Sequence, residues 1–401
     1  FGSSHNCLSC RLSSSIGWIA QHCESYLMEV APQWSYLPAP CASPHSLRPP
    51  SRQHDGHGYS GTSQHCWRQT WGMCCAIVTL HGSGRRRTRP AQRRAPRQGA
   101  ATSSFSVPKR SGVPEAKLEV VGGAATAGAT KPATVLLIHG SYHAAWCWEP
   151  YYLPYFRARG FRTYAMSLRG QGECSVAAEE AQPVAGTLET HAADVAEFAL
   201  ALHEEHAQPV VVVGHSFGGL IVQKAVFDLC SSQPSVIGGM ALLSSVPPAG
   251  LSGGVWRVLM SDPGLAFDIT WGFVTRAFER DGRLCRKLFF DADMDTTQVE
   301  RYASQMKDSS PPGTRLLDLR ELQKSLPVPA ARKVPVLVFG GTEDKIVDVE
   351  AMEETSEAHN AELTLLAGLP HDAMLCSDWE TSAKVLLNWM VQLLGATDKE
   401  E

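Results

Sequence analysis

One serine of the chain lies between two glycines, directly after a run of four valines. The run Val210–Val213 leads into Gly214-His215-Ser216-Phe217-Gly218, and a helical pattern of apolar residues follows. A Gly-x-Ser-x-Gly match arises often by chance, whereas one placed between a strand pattern and a helix pattern is far more specific. So sharp a turn needs glycine where a Cβ would collide, and it projects the serine hydroxyl away from the sheet. We therefore predict that Ser216 is a nucleophile.

A serine hydroxyl is a weak nucleophile until a neighbouring base takes its proton, and histidine commonly serves as that base. His371 follows the predicted strand 363–366, whereas His359 precedes it. Active sites of parallel sheets form beyond the carboxyl ends of the strands, which is the edge where His371 lies. We predict that His371 is the base.

An acid that orients the histidine should also follow a strand. The predicted strand 334–339 is followed by Gly340-Gly341-Thr342-Glu343-Asp344. We predict that Asp344 orients His371, with Glu343 as an alternate. Asp348 lies four residues further on, where it is better placed to cap the next helix.

Covalent attack by the serine would create an oxyanion, which requires a pair of backbone amides. One amide is that of Phe217, directly after the nucleophile. The other is expected in the loop after the predicted strand 134–138, which begins His139-Gly140-Ser141. Gly140 allows a tight turn there, so we predict the Ser141 amide as the second donor.

Short apolar runs alternate with helical patterns from residue 117 onward. The predicted strands cover 117–121, 134–138, 162–166, 210–213, 236–243, 334–339 and 363–366. Within 187–206, apolar residues recur on one helical face at Leu188, Ala192, Val195, Phe198, Ala199 and Leu202. This alternation predicts an α/β fold with a mostly parallel, doubly wound sheet.

The alternation stops between residues 247 and 333. This interval has no strand run but several helical stretches, with aromatic residues at Trp256, Phe267, Trp271, Phe273, Phe278, Phe289 and Phe290. We predict a helical lid that lies over the sheet. Its aromatic residues either bind an apolar group of the substrate or form the core of the lid itself.

Residues 1–114 differ in composition from the rest of the chain. They hold 13 Lys and Arg against three acidic residues, whereas residues 115–401 hold 23 basic and 37 acidic residues. Few acids with abundant Arg and Ser are typical of an organellar transit peptide, and such a segment buries too little apolar surface to fold alone. We expect a disordered basic extension over 1–114, one catalytic domain over 115–401, and a chloroplast location, with mitochondrial and cytoplasmic locations as alternatives.

The composition also argues against several partners and cofactors. The acidity of residues 115–401 argues against nucleic-acid binding, and the chain has no run of 18 apolar residues that would predict an integral membrane segment. Cys7 and Cys10 could form a zinc site with His22 and Cys23, but no second pair follows at zinc-finger spacing. We expect no metal, no organic cofactor, a small-molecule substrate and, by default, a monomer.

The residues described above resemble those of serine hydrolases of the α/β-hydrolase superfamily. The resemblance covers about 115–395 and includes the chain order Ser216, Asp344, His371. Within it, residues 139–148, His-Gly-Ser-Tyr-His-Ala-Ala-Trp-Cys-Trp, resemble a stretch of plant methylesterases and hydroxynitrile lyases. Together with its basic extension, the chain is similar to plant and algal plastid α/β-hydrolases.

The resemblance implies particular roles for residues of the site. It implies a catalytic triad of Ser216, Asp344 and His371. It also implies an oxyanion hole formed by Ser141 and Phe217, and a substrate pocket with Tyr142, His143 and Trp146.

Two positions depart from the family pattern. Ser167 stands at a structural position where many relatives carry Asp. Asp372 follows His371 where the lyases place a Lys nearby, which argues against cyanohydrin cleavage.

The resemblance implies an esterase that cleaves a carboxylic ester or related acyl bond of a small apolar substrate through an acyl-Ser216 intermediate. Two alternatives stay open. One is an acyltransferase with the same triad, and the other is a ligand-binding, receptor-like member that turns over slowly.

Overall fold

The computed structural model describes residues 101–109, 115–127, 130–176, 184–310, 316, 326 and 334–397. Residues 1–100 lie outside the described residues; they include most of the segment expected to be a transit peptide, and the Cys7–Cys10 pair that was considered and set aside as a zinc site.

Nine strands of the described residues form one sheet. They are β1 (Thr102–Val107), β2 (Ala116–Gly123), β3 (Thr134–Ile138), β4 (Arg162–Met166), β5 (Ser175–Val176), β6 (Val210–His215), β7 (Ile237–Leu243), β8 (Val336–Gly341) and β9 (Glu362–Leu366). Their order is β1-β2-β4-β3-β6-β7-β8-β9, and the short β5 pairs with β2. From β4 through β9 this path is parallel, whereas β2 is antiparallel to β4, β1 and β5. The predicted, mostly parallel sheet is confirmed.

The helices cover both faces of this sheet. They are α1 (Tyr152–Arg157), α2 (Leu188–His206), α3 (Phe217–Ser232), α4 (Ser252–Ser261), α5 (Pro263–Thr275), α6 (Gly282–Phe289), α7 (Thr296–Ser309), α8 (Val349–His359) and α9 (Trp379–Thr397). Short 3-10 turns cover Ala145–Trp148 and Ala277–Glu279. No described helix has both the length and the apolar character needed to cross a membrane.

Side chains of the central strands alternate between two hydrophobic cores, as the period of two along a strand requires. Val211 and Val213 of β6 point into a core shared with α1, α9 and the lid. Val210 and Val212 point into a core shared with α2, α3 and α8. The valine run before Ser216 is therefore buried on both faces, which is why it reads as continuously apolar.

Helix α2 follows its predicted pattern closely. Its N-cap Thr187 accepts a hydrogen bond from the Thr190 amide, and its apolar face is buried. At its C-terminal end Ala207 adopts a left-handed conformation, with φ of 50°.

The interval predicted as a lid contains four helices, α4 to α7, and no strand among its described residues. Its aromatic residues divide into two groups. Phe278, Phe289 and Phe290 are buried in the core beneath, whereas Phe267 and Trp271 of α5 are exposed to solvent. Part of this aromatic set therefore packs in the hydrophobic core between the lid and the sheet, and part of it faces solvent.

The predicted domain boundary at residue 115 is wrong, because β1 lies before it. β1 pairs with β2 from Thr102 opposite Val121 to Val107 opposite Ala116. Val107 is buried, and the ring of Phe105 lies 4.9 Å from that of Phe198 in α2. The strand carries only these two large apolar side chains among serines, so its sequence gives a weak strand signal.

We expect a chain shortened to residues 101–401 to unfold in urea with the same free energy as the corresponding domain of the full chain. A chain shortened to 115–401 should lose about 2–4 kcal/mol, because the apolar contacts of Phe105 and Val107 are removed. Equal unfolding free energies for the two shortened chains would contradict the assignment of β1 to the domain.

Candidate active site

Ser216 lies on the turn between β6 and α3, in a strained backbone conformation. Its φ is 54° and its ψ is −124°, a combination that costs about 1–3 kcal/mol. The turn is closely packed: a Cβ on Gly218 would lie 2.2 Å from the carbonyl oxygen of His139, and one on Gly214 would lie 2.6 Å from the Cα of Gly219. The two glycines of the motif are therefore required by space, as predicted from the sequence.

The structure brings Ser216, His371 and Asp344 into one chain of hydrogen bonds. The distance from Ser216 Oγ to His371 Nε2 is 3.1 Å, and that from His371 Nδ1 to Asp344 Oδ2 is 2.7 Å. The other oxygen of Asp344 accepts hydrogen bonds from the amides of Ile346 and Val347, at 2.8 and 2.9 Å. The carboxylate is thus held in a fixed orientation against the ring.

The two other acids considered from the sequence lie elsewhere. Asp348 caps α8 by accepting a hydrogen bond from the Ala351 amide, as expected, and it also pairs with Arg257. Glu343 is paired with Lys345 at the surface. Of these three acids, Asp344 alone bonds to His371.

The surroundings of His371 change its affinity for a proton. Burial by itself lowers the pKa of the ring, but the charge and hydrogen bond of Asp344, together with the charge of Asp372, outweigh burial. The pKa of His371 therefore lies above its ordinary value of 6.5. Only above that pKa is the ring neutral and able to accept a proton from Ser216.

The loop after β3 passes directly against the turn that carries Ser216. A Cβ on Gly140 would lie 2.8 Å from the Cβ of Ser216, so only glycine fits there. Ser141 follows at once, and Tyr142 has a positive φ of 64°. Phe217, the other predicted amide donor, is the first residue of α3. Both predicted donors thus belong to segments that meet at Ser216.

The three residues predicted to line the substrate pocket lie in this loop and in the 3-10 turn that follows it, and each contacts a residue of the lid. Tyr142 donates a hydrogen bond from its hydroxyl to the carbonyl oxygen of Phe273 in α5, at 2.6 Å. Trp146 is buried and stacks on both His143 and Tyr302. His143 is buried too, and both of its ring nitrogens bond to protein atoms.

Asp372 belongs to the site, although the sequence analysis assigned it no role there. It is fully buried, and its Oδ2 lies 2.9 Å from Nε2 of His143. Its Oδ1 lies 3.7 Å from Nε2 of His215. Two features of the sequence could have indicated this role: Asp372 directly follows the predicted base, and a second histidine, His143, lies in the loop after β3.

One group of described side chains has the composition of a metal site. Ligand atoms of His215, His371 and Asp372 all lie within 4.8 Å of one another. Each of these groups already has a protein contact: Nε2 of His215 bonds to the His371 carbonyl, His371 bonds to Asp344 and Ser216, and Asp372 bonds to His143. We assign no metal to this group.

The departure at Ser167 is compensated by a carboxylate from another strand. The Ser167 hydroxyl donates to Oε2 of Glu119 on β2, at 2.7 Å, and accepts from the Ala145 amide. The same Glu119 oxygen accepts from the Glu173 amide. Glu119 therefore brings a carboxylate to the space beside position 167, and the bond from Ala145 connects it to the loop after β3.

Comparison with known proteins agrees with this architecture. A family model described as the alpha/beta hydrolase family matches residues 135–384, more than half of the chain. Protein phosphatase methylesterase 1 of Mus musculus is 34% identical over 105 residues, which are 26% of this chain and 25% of that protein. The chain thus matches about a quarter of the length of this curated relative.

Solved structures with the same fold include a bacterial membrane phospholipase A and an esterase of Thermogutta terrifontis. The phospholipase has a TM-score of 0.53 and 18% identity, over 74% of this chain and 87% of its own. The esterase has a TM-score of 0.51 and 18% identity, over 73% of this chain and 99% of its own. At these identities the likeness concerns the fold.

We expect Gly218→Ala to lower the free energy of unfolding by at least about 2 kcal/mol, because the new Cβ would collide with the backbone of His139. Gly395→Ala is the matched control, since Gly395 lies in α9 with no atom within 4 Å of the added Cβ. It should be neutral or stabilising by up to about 1 kcal/mol. Urea denaturation measures both variants, and an unchanged Gly218→Ala would contradict the close packing of the turn.

Proposed function

Because the chain belongs to the alpha/beta hydrolase family, we propose that it is a serine hydrolase that cleaves a carboxylic ester through an acyl-Ser216 intermediate. The observation that carries this proposal is the hydrogen-bonded chain from Ser216 Oγ through the His371 ring to Asp344. Such chemistry needs three parts, which are a strained serine at a strand-to-helix turn, an imidazole ring within reach of its hydroxyl, and a carboxylate behind that ring.

The proposed reaction proceeds in two halves. Ser216 Oγ attacks the ester carbonyl carbon while Nε2 of His371 takes the hydroxyl proton, and the Ser141 and Phe217 amides stabilise the oxyanion. The intermediate collapses, the carbon–oxygen bond to the alcohol breaks, and His371 returns its proton to the leaving alkoxide. Water then attacks the acyl-serine with the same assistance and releases the acid. Asp344 holds the ring and stabilises its charged form.

The aromatic residues of the lid favour an apolar substrate. Tyr142, next to the proposed oxyanion donor, packs its ring against Phe273 and Phe278, at 5.3 and 5.0 Å between centroids. An acyl or alcohol group bound beside this loop would therefore meet aromatic carbon. The partial similarity to a protein named as a methylesterase makes methyl esters the first compounds to test.

We expect a fluorophosphonate to label the wild-type protein at Ser216, and Ser216→Ala to lose the label together with a factor on the order of 10³ or more in kcat/KM. Ser382→Ala is the matched control: that serine is buried and bonds to Tyr152 in the core. It should keep both label and activity. Mass spectrometry of the labelled peptide and ester turnover check this result, and undiminished turnover in Ser216→Ala would overturn the proposal.

We expect Asp344→Asn to lower kcat by up to about 10⁴-fold, because an amide can leave the wrong ring nitrogen of His371 protonated. Asp348→Asn should cost less than about threefold, since asparagine also caps a helix. In the wild type, kcat/KM should rise with pH through the pKa of His371, above 6.5, and loss of the Asp344 charge should lower that midpoint. Steady-state kinetics between pH 5 and 9 measure all three, and a crippled Asp348→Asn beside a normal Asp344→Asn would show that the wrong acid was assigned.

A further inference from the structure

His143 connects two loops whose relative position matters for the proposed reaction. It lies in the loop after β3, and its Nδ1 is 2.8 Å from the carbonyl oxygen of Ser141. Its Nε2 is 2.9 Å from Oδ2 of Asp372, the residue next to His371. Both side chains are almost completely buried. One imidazole ring thus spans from the proposed oxyanion loop to the loop of the proposed base.

Each ring nitrogen of His143 faces a hydrogen-bond acceptor. A carbonyl oxygen only accepts hydrogen bonds, so Nδ1 of His143 must carry a proton toward Ser141. At Nε2 the partner is a carboxylate. Burial tends to raise the pKa of Asp372, but the charge and hydrogen bond of His143 outweigh burial, and the pKa lies below its ordinary value of 3.8. Asp372 is therefore ionised, so a carboxylate acceptor faces Nε2 of His143 while a carbonyl acceptor faces Nδ1.

Other titratable groups packed around this pair are uncharged near neutral pH. Burial lowers the pKa of His139 and of His215 to about 3, so both rings are neutral. Burial also raises the pKa of the nearby thiols, which stay protonated: Cys147, Cys285 and Cys376. His371 is a further neighbour, and it is neutral when it acts as a base. Among these groups, the His143 ring makes the hydrogen bond to the Asp372 carboxylate.

The backbone around Asp372 is also tied to other elements. The Asp372 amide donates to the carbonyl oxygen of Phe289 at the end of α6, at 3.0 Å. Nε2 of His215, on the nucleophile strand, donates to the His371 carbonyl oxygen at 3.1 Å. The loop that carries His371 is thus attached to the lid, to β6 and, through the bond between Asp372 and His143, to the oxyanion loop.

We propose that the hydrogen bond between His143 and Asp372 is a positioning device that sets the placement of the oxyanion loop relative to the base, a role that rests on the proposed serine-hydrolase function. The tetrahedral intermediate touches both loops at once, so an error of about 1 Å between them can cost on the order of 10² in rate. Substrate binding before attack depends much less on the distance between the two loops, so the loss should fall on kcat rather than on KM.

Two substitutions at Asp372 separate the connection from its charge. In Asp372→Asn the side-chain amide can still bond to Nε2 of His143, so the link survives while the carboxylate charge disappears. In Asp372→Ala the link is broken. Both are measured as kcat per active site, with sites counted by the fluorophosphonate end point, so that a lower yield of folded protein does not affect the result.

We expect Asp372→Ala to lower kcat per site by about 100-fold with KM changed by less than about threefold. Asp372→Asn should stay within about tenfold of wild type, and its acid limb should move to lower pH, because the Asp372 charge is one of those that raise the pKa of His371. His143→Ala should repeat the loss from the other side of the link. His359→Ala is the matched control, since that partly buried ring bonds to Gln223 instead, and it should leave kcat unchanged.

Several outcomes would overturn the proposal. A kcat per site in Asp372→Ala within about threefold of wild type would do so, as would an equal loss in Asp372→Asn with no movement of the acid limb. If neither alanine variant folds, the ¹⁵N–¹H spectrum of the wild-type imidazole rings decides. A ring N–H that is protected from exchange and absent after His143→Gln supports the hydrogen-bonded link, and a lack of any such proton overturns it. A wild type that the fluorophosphonate does not label would instead refute the proposed function itself.

Discussion

The contact between the turn that carries Ser216 and the backbone directly after β3 constrains most of this site. β3 and β6 are adjacent and parallel, in register from Thr134 opposite Val210 to Ile138 opposite Gly214, so both chains leave the sheet at the same level. Directly beyond that level the carbonyl of His139 faces Gly218, with no room for a Cβ. The loop after β3 must therefore turn across the front of Ser216. The placement of this loop, including the hydrogen bond from Tyr142 to the lid, therefore depends on the close contact between His139 and Gly218.

Buried charge is the second organising feature of the site. Asp344 and Asp372 both lie in the protein interior, and each has its own set of donors: two amides and His371 for Asp344, and His143 for Asp372. A carboxylate without such partners would become protonated in the interior. A positive charge that develops on His371 would therefore meet carboxylates that are already fixed in place, with little reorganisation.

The sequence predicted the parts of the molecule that depend on local pattern. The valine run, the helix at 188–206 and the strand-to-helix turn each carry a periodicity or a steric requirement that is visible in a few residues. The order of strand, loop and residue also placed Ser216, Asp344 and His371 at one edge. In contrast, β1 was missed because an edge strand of serines with two apolar residues has little pattern to recognise. The pairing of His143 with Asp372 joins residues 229 positions apart, and only the folded chain shows that they meet.

The bond between Ser167 and Glu119 has a consequence for how such sequences diverge. One carboxylate in that space serves the Ser167 hydroxyl and the Glu173 amide. An aspartate gained at position 167 while Glu119 remained would crowd two anions into a buried volume that is suited to one. Loss of Glu119 first would remove the acceptor from both donors. Each single change should therefore cost stability, so the residue that is tolerated at one of these two positions depends on the residue at the other.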